Sequence, residues 1–219
     1  MNEMELNADK TKVMIFNRSR QYDFLPQLYV EKDLPLEFVE VHKLLGVYIQ
    51  SDLRWHTNTN NLCSKGYSRL WLLRRLQTLG ASIEELLDVY QKQVRSILEL
   101  AVPVWEPGLT HVERKQIERV QKAACSIILG RSYNRYSEAL SILGLETLSS
   151  RRKKLSLNFA KKALRHPRFS TWFQYNTSKN YPIRRQNKLV PVTSRTKDFK
   201  SSPLPSLTEL LNDFFQSKN

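Results

Sequence analysis

SIEELLDVYQKQVRSILELAVP, residues 82–103, decides the fold. Ile83, Leu86, Leu87, Tyr90, Val94, Ile97, Leu98 and Ala101 recur at steps of three and four, the spacing of one helix face. Ser82 with Glu85 three residues on makes a capping box, in which hydroxyl and carboxylate each satisfy the other's free backbone N–H. Pro103 and Pro107 close the segment. On its C-terminal side Thr110 with Glu113 repeats the capping box, and Ile117, Val120, Ala124, Ile127 and Ile128 form a second stripe that ends at Gly130, a natural C′ residue. On its N-terminal side Leu62, Leu70, Leu73 and Leu76 mark a helix ending near Gly80. Three main helices, near 56–80, 82–103 and 110–130, are therefore expected to form a bundle.

Before residue 52 the period is that of strands. VMIF, then LYVE and LEFVEV around the turn-like KDLP, then LLGVYI are short β-branched or aromatic runs broken by Asp, Pro and Asn. A small antiparallel sheet over residues 12–50 is expected. After Gly130 comes a short helix, YSEALSIL, ending at Gly144, then a basic helix, LSSRRKKLSLNFAKKAL, stopped by Pro167. Beyond it the chain has no period and many turn formers, which predicts a loose tail with PSLTELLNDFF as a short terminal helix. The expected class is mainly α with a small antiparallel β part. Residues 1–51 form the β segment, 52–130 the three-helix bundle, 131–167 a helical extension, and 168–219 a basic, largely disordered tail.

Charge is unevenly placed. Thirty-five basic residues against 21 acidic give a net charge of +14, and residues 151–219 alone hold 16 basic and 3 acidic side chains. Such a field attracts polyanions, nucleic acid before membrane, because the cations alternate with aromatics and border no hydrophobic anchor. Cys63 and Cys125 lack CxxC spacing and a nearby histidine pair, so neither a disulfide framework nor a zinc site is signalled. MNEMELNADK lacks the basic start and apolar run of a signal peptide, and no stretch reaches the roughly 18 apolar residues of a membrane span, so cytoplasm or nucleus is the expected location.

No phosphate-binding GxxxxGK[ST], HExxH or G-x-S-x-G is present, and no Asp pair lies in an apolar strand of the kind that holds two metal ions. His42, His56, His111 and His166 are isolated. From the residues alone the chain reads as a basic, α-rich module that binds polyanions.

LNADKTKVMIF, KLLGVYIQSDLRW, VYQKQVRSILELAVPVWEP, IERVQKAACSIILG and YSEALSILGLETLSSRRKKLSLNFAKKAL occur in this order over residues 5–165. As a set they resemble the C-terminal end of the reverse transcriptases of non-LTR, LINE-type retrotransposons. The resemblance implies that N-x-x-K-T is the last strand region of a polymerase palm, that the L-G-V segment is the hairpin gripping the primer, and that the following helices are the thumb and its extension. It further implies that Lys10 matches the lysine near the incoming triphosphate, and that Leu45, Gly46 and Val47 match the primer-grip turn. In that family two magnesium ions, held by a Phe/Tyr-x-Asp-Asp turn and a companion Asp, perform phosphoryl transfer. No such motif stands here, so no cofactor is expected in this chain and no catalytic residue is assigned.

Three readings follow. The chain is a polymerase fragment able at most to hold nucleic acid, a host-adopted module binding nucleic acid or a host protein, or part of an active polymerase whose other half lies elsewhere. No membrane partner is expected. For nucleic acid, Arg151, Lys154, Lys161 and Arg165 fall at helical spacing, with Leu148, Leu155, Phe159 and Ala163 on another face. Arg168, Trp172, Phe173, Tyr175, Tyr181, Arg184 and Arg185 mix cations with rings, which suits single strands. Arg69, Arg74 and Arg75 on the first helix are the remaining candidates.

Overall fold

A computed structural model describes residues 7, 10–16, 27–30, 34–176 and 188–217. They are mainly helical with a small β part, and they divide into two units, Met1–Asn58 and Thr59–Asn219.

The first unit is built from three two-stranded pairs. β1 (Lys12–Val13) runs parallel to β4 (Glu37–Phe38), and β2 (Tyr29–Val30) pairs antiparallel with β3 (Leu34–Pro35). β5 (Val41–Leu44) and β6 (Val47–Gln50) form a hairpin in the register Val41↔Gln50 to Leu44↔Val47. The single sheet expected from the sequence is thus three short pairs, one of them parallel. VMIF contributes only Val13 to a strand, and LEFVEV is divided between β4 and the start of β5. LLGVYI is not one strand, because Leu45 and Gly46 both adopt positive φ, 47° and 89°, and turn the chain back on itself. Positive φ at both central residues is the requirement of a two-residue hairpin whose twist suits its strands.

The hairpin also starts the next helix. α1 (His56–Thr78) has no acid in its first turn; the buried Gln50 of β6 accepts a hydrogen bond from the Thr57 backbone N–H at 3.0 Å, and Asn58 Oδ1 in turn accepts from the Tyr48 N–H at 3.1 Å. A glutamine distant from the local chain thereby serves as the helix cap.

In the second unit the capping boxes stand where the sequence placed them. α2 (Ile83–Val89) starts at Ser82, whose Oγ accepts from the Glu85 N–H at 3.2 Å, and α5 (His111–Leu129) starts at Thr110, whose Oγ1 accepts from the Glu113 N–H at 3.3 Å. The segment after α2 differs from expectation. It passes through a π-helical turn, Tyr90–Arg95, into α3 (Ser96–Leu98), and ends there. The buried side chains are Leu86, Tyr90, Val94 and Leu98, one every four residues. Such a repeat drifts around a helix of 3.6 residues per turn, and the wider π turn absorbs the drift so that all four face the core. Ala101 then takes a left-handed φ of 51° and redirects the chain into α4 (Val102–Trp105). Pro103 therefore lies in the first turn of a new helix and does not close the old one. The redirection lets Trp105 bury its ring and donate from Nε1 to the Leu100 carbonyl at 2.7 Å.

α6 (Tyr136–Ile142) and α7 (Leu148–Arg165) follow, the latter packed against α4 and α5. The tail read as loose is structured where it is described. α8 (Lys197–Lys200) leads into α9 (Pro203–Gln216), which packs against α7 and α4. Leu207 and Leu211 of α9 join Ala160, Ala163, Phe173 and Leu189 in a small core of their own. The buried Asn212 locks it: its Oδ1 accepts from the Leu189 N–H at 2.9 Å and its Nδ2 donates to the Leu189 carbonyl at 3.0 Å. The terminal helix forms because its apolar residues have a groove to fill, which a window of sequence does not reveal.

α1 meets the bundle through its only glycine. A Cβ at Gly66 would lie 2.9 Å from Val120 Cγ1 and 3.2 Å from Leu98 Cδ2, so the helices approach more closely than an alanine allows. Gly66→Ala is expected to lower stability in urea unfolding by about 1–2 kcal/mol, overpacking outweighing the gain in helix propensity. Val120→Ala is expected to cost less in the Gly66→Ala background than alone, because it opens the space the new methyl needs.

Candidate nucleic-acid interface

Among the side chains the sequence nominated, the structure separates cations already paired inside the protein from cations that face solvent unmatched. α7 supplies most of the first group. Arg151 grips Glu99 with two nitrogens: Nε is in close contact with Oε1, and Nη2 donates to Oε2 at 3.0 Å. These bonds to Glu99 hold the Arg151 guanidinium above its ordinary pKa. Lys154 Nζ lies 2.6 Å from Glu146 Oε2, and this bond keeps the Glu146 carboxyl below the usual carboxylate range. Lys161 Nζ sits 3.5 Å from the centre of the Phe214 ring, a cation–π contact that helps dock α9. Arg152 is fully buried and its three guanidinium nitrogens find no hydrogen-bond partner among the described residues; burial pushes its pKa down, with Glu106 and Glu118 opposing. The expected face of Arg151, Lys154, Lys161 and Arg165 is therefore not a free cationic row. Of these four only Arg165, in the last turn, is exposed without an ion pair among the described residues, as are Lys153 and Lys162 beside them on α7.

Glutamates set this arrangement. Glu118 of α5 accepts from the backbone N–H groups of Leu148 and Ser149 at 3.1 and 3.3 Å, so a carboxylate from one helix caps the positive end of another. The same carboxylate accepts from the Tyr136 hydroxyl at 2.5 Å, and Gln121 links Tyr136 to the buried Tyr90, whose hydroxyl donates to Gln121 Oε1 at 2.5 Å. Burial, with nearby negative charge, raises both phenols far above their ordinary pKa. Neither is a proton donor or acceptor at neutral pH.

Past α7, Arg168 is exposed, and Trp172 leans on Phe169 with ring centres 4.8 Å apart. Phe169 packs in turn against the α7–α9 core. Phe173 is buried in that core and Tyr175 is exposed beside its bridge to Leu189. Tyr181, Arg184 and Arg185 lie outside the described residues.

α1 is the opposite case. Its 23 residues contain Lys65, Arg69, Arg74 and Arg75 and not one Asp or Glu. All four are exposed, and none has an ion pair or side-chain hydrogen bond among the described residues. At 100° per residue Arg75 and Trp71 occupy the centre of the exposed face with Tyr67 and Arg74 along one side, whereas Lys65 lies about 120° and Arg69 about 160° around the helix from Trp71. Trp71 is 66% exposed and Tyr67 44%. At the C-terminal end of α1, Gln77 Nε2 donates to the Ile127 carbonyl at 2.5 Å, which brings the turn carrying the exposed Arg131 alongside. Sequence reasoning named the three arginines but missed Lys65, Tyr67, Trp71 and Arg131; the signal was a long helical segment without a single acid.

In the first unit, Asn7 organises the N-x-x-K-T segment. Its Oδ1 accepts from the Lys10 N–H at 3.1 Å and its carbonyl accepts from the Thr11 hydroxyl at 2.8 Å. Lys10 itself is exposed. Leu45 projects from the hairpin tip, 92% exposed, while Val47 behind it is buried.

Most of the described glutamates of the helical unit have structural partners. Glu85 and Glu113 cap helices, Glu99, Glu106 and Glu146 pair with cations, and Glu118 caps α7. Among the described residues no group of three or more His, Cys, Asp or Glu side chains converges as metal ligands. Cys63 and Cys125 are buried free thiols, each pushed up to about 11 by burial, which keeps them protonated and unreactive at neutral pH. No helix of the described residues is long and apolar enough to cross a membrane. Comparison with protein-family models, with curated proteins and with solved structures finds no match.

The pairing on α7 is testable. Arg151→Gln is expected to lower stability by about 1–3 kcal/mol in denaturant unfolding, through loss of two charge-assisted hydrogen bonds.

Proposed function

We propose that the chain is a thumb-like, nucleic-acid-holding part of a reverse transcriptase of the non-LTR retrotransposon kind, acting by binding and not by phosphoryl transfer. The observation that carries the binding reading is α1, a long helix whose exposed surface bears four cations, no anion and no ion pair among the described residues. A protein that left such a surface bare would keep four like charges in mutual repulsion for no structural return. Phosphates relieve that repulsion and release condensed counterions as they bind. The alternative α7 face is a poorer candidate, since forming phosphate contacts there would first break the bonds of Arg151 to Glu99 and of Lys154 to Glu146.

The family reading rests on the order of the five sequence blocks. It is in keeping with a β-hairpin turning at Leu45–Gly46, followed by a helical bundle whose second and third main helices start at Ser82 and Thr110. Within it Gly46 keeps the hairpin tip narrow and Lys10 presents an exposed cation; neither carries chemistry without metal-binding carboxylates.

Two measurements test the reading. The triple change Arg69→Gln, Arg74→Gln, Arg75→Gln is expected to weaken binding of a labelled oligonucleotide and to lower the slope of log affinity against log salt by about 2–3, one counterion's worth per lost phosphate contact. An unchanged slope would refute α1 as the interface. Purified chain given a primed template, the four triphosphates and magnesium or manganese is expected to incorporate no nucleotide above background; sustained incorporation that copurifies with the chain would overturn the claim that it acts by binding alone.

A further inference from the structure

We propose that the exposed face of α1 is a single-strand site, on which unpaired bases stack against Trp71 and Tyr67 while phosphates pair with Arg74 and Arg75; this rests on the nucleic-acid reading above and adds the strand state it selects. The observation is the company the cations keep. Trp71 stands at the centre of the cationic face, one turn from Tyr67 and from both Arg74 and Arg75, and two-thirds of its surface is in water. Tryptophan is a costly residue to leave bare: Trp55 and Trp105 are buried, and Trp172, 45% exposed, is backed by Phe169, whereas Trp71 has no such ring behind it among the described residues. Among the described residues neither Trp71 nor Tyr67 is stacked on another ring or covered by a cation.

A duplex can use the arginines but not the rings, because its bases are already stacked on each other and show only their edges. A single strand can use both. Every base has a π-face, so stacking of this kind tolerates any sequence, and the flanking cations track the backbone. The rings and arginines of α1 are also the residue types of protein–protein hot spots. The charge decides between the two occupants: with Arg74 and Arg75 flanking Trp71 and no acid anywhere on the helix, the surface complements a continuous polyanion better than a mixed-charge protein surface.

The test uses the full chain and three probes: a labelled thymidine dodecamer, a hairpin duplex of equal phosphate count, and poly-glutamate as competitor. Trp71→Ala is expected to weaken the single strand about 5–100-fold and the duplex less than about twofold, with the salt slope unchanged, whereas Trp71→Phe retains most of the affinity. The changed side chain is largely in solvent, so circular dichroism and thermal midpoint are expected to stay at the wild-type values. In a Trp172→Phe background Trp71 is the exposed tryptophan among the described residues, and its fluorescence is expected to be quenched by the dodecamer and not by the duplex. Equal loss on both probes, or no loss on the single strand, would overturn the stacking site. Poly-glutamate competing as well as the dodecamer at equal charge would do the same, marking a surface that reads charge alone or an acidic protein. The triple arginine change keeps the two proposals apart: if it lowers both affinities while Trp71→Ala changes neither, the binding reading stands and only the strand preference falls.

Discussion

The placement of α7 rests on a carboxylate that belongs to another helix. Glu118 of α5 accepts two of the backbone N–H groups that begin α7, and Thr147 accepts a third, from Ser150, at 3.1 Å. A helix start left bare in a part-buried setting would strand several donors, each costing about 1–3 kcal/mol. Once α7 is held there, Leu148 is driven into the core, Ser156, Ala160 and Ala163 present the shallow groove that α9 fills, and Arg151 falls within reach of Glu99. The link through Tyr136, Gln121 and Tyr90 extends the same constraint back to the π-helical turn.

This explains why the two basic helices differ in use. On α7 three cations, Arg151, Lys154 and Lys161, meet partners in Glu99, Glu146 and the ring of Phe214. On α1 the bundle supplies none, and the buried side of the helix is apolar: Leu62, Cys63, Leu70 and Leu73. Net charge by itself therefore misleads. The C-terminal third holds nearly all of the excess positive charge, yet part of that excess is spent on internal pairing, while a helix in the less basic part of the chain keeps its cations free.

Much of this architecture could be read from the chain itself. Ser82–Glu85 and Thr110–Glu113 locate two helix starts because a capping box is a local interaction, complete within four residues. Gly80 and Gly130 close helices with positive φ, as their lack of a Cβ permits. What escaped depends on partners distant in sequence. The cap of α1 comes from Gln50, the closeness at Gly66 is set by Val120 and Leu98, and α9 owes its order to Leu189 and α7. The left-handed Ala101 escaped for another reason: alanine carries no local signal for positive φ, and the burial of Trp105 beyond it helps to offset the strain. The nominated interface residues divided on the same principle, since spacing tells which cations share a face but not which acids wait across from it.

The docking of α9 on α7 has a consequence for the order in which this protein completes itself. Ribosomal synthesis delivers α7 first, so Leu157, Ala160, Ala163 and Leu164 are without their cover until Leu207, Leu211 and Asn212 have emerged. During that interval the nascent chain carries an uncapped apolar strip beside a run of arginines and lysines, the condition under which chaperones and stray anionic chains compete for a partly made domain. The cover is complete once the Asn212 amide pairs with both backbone groups of Leu189.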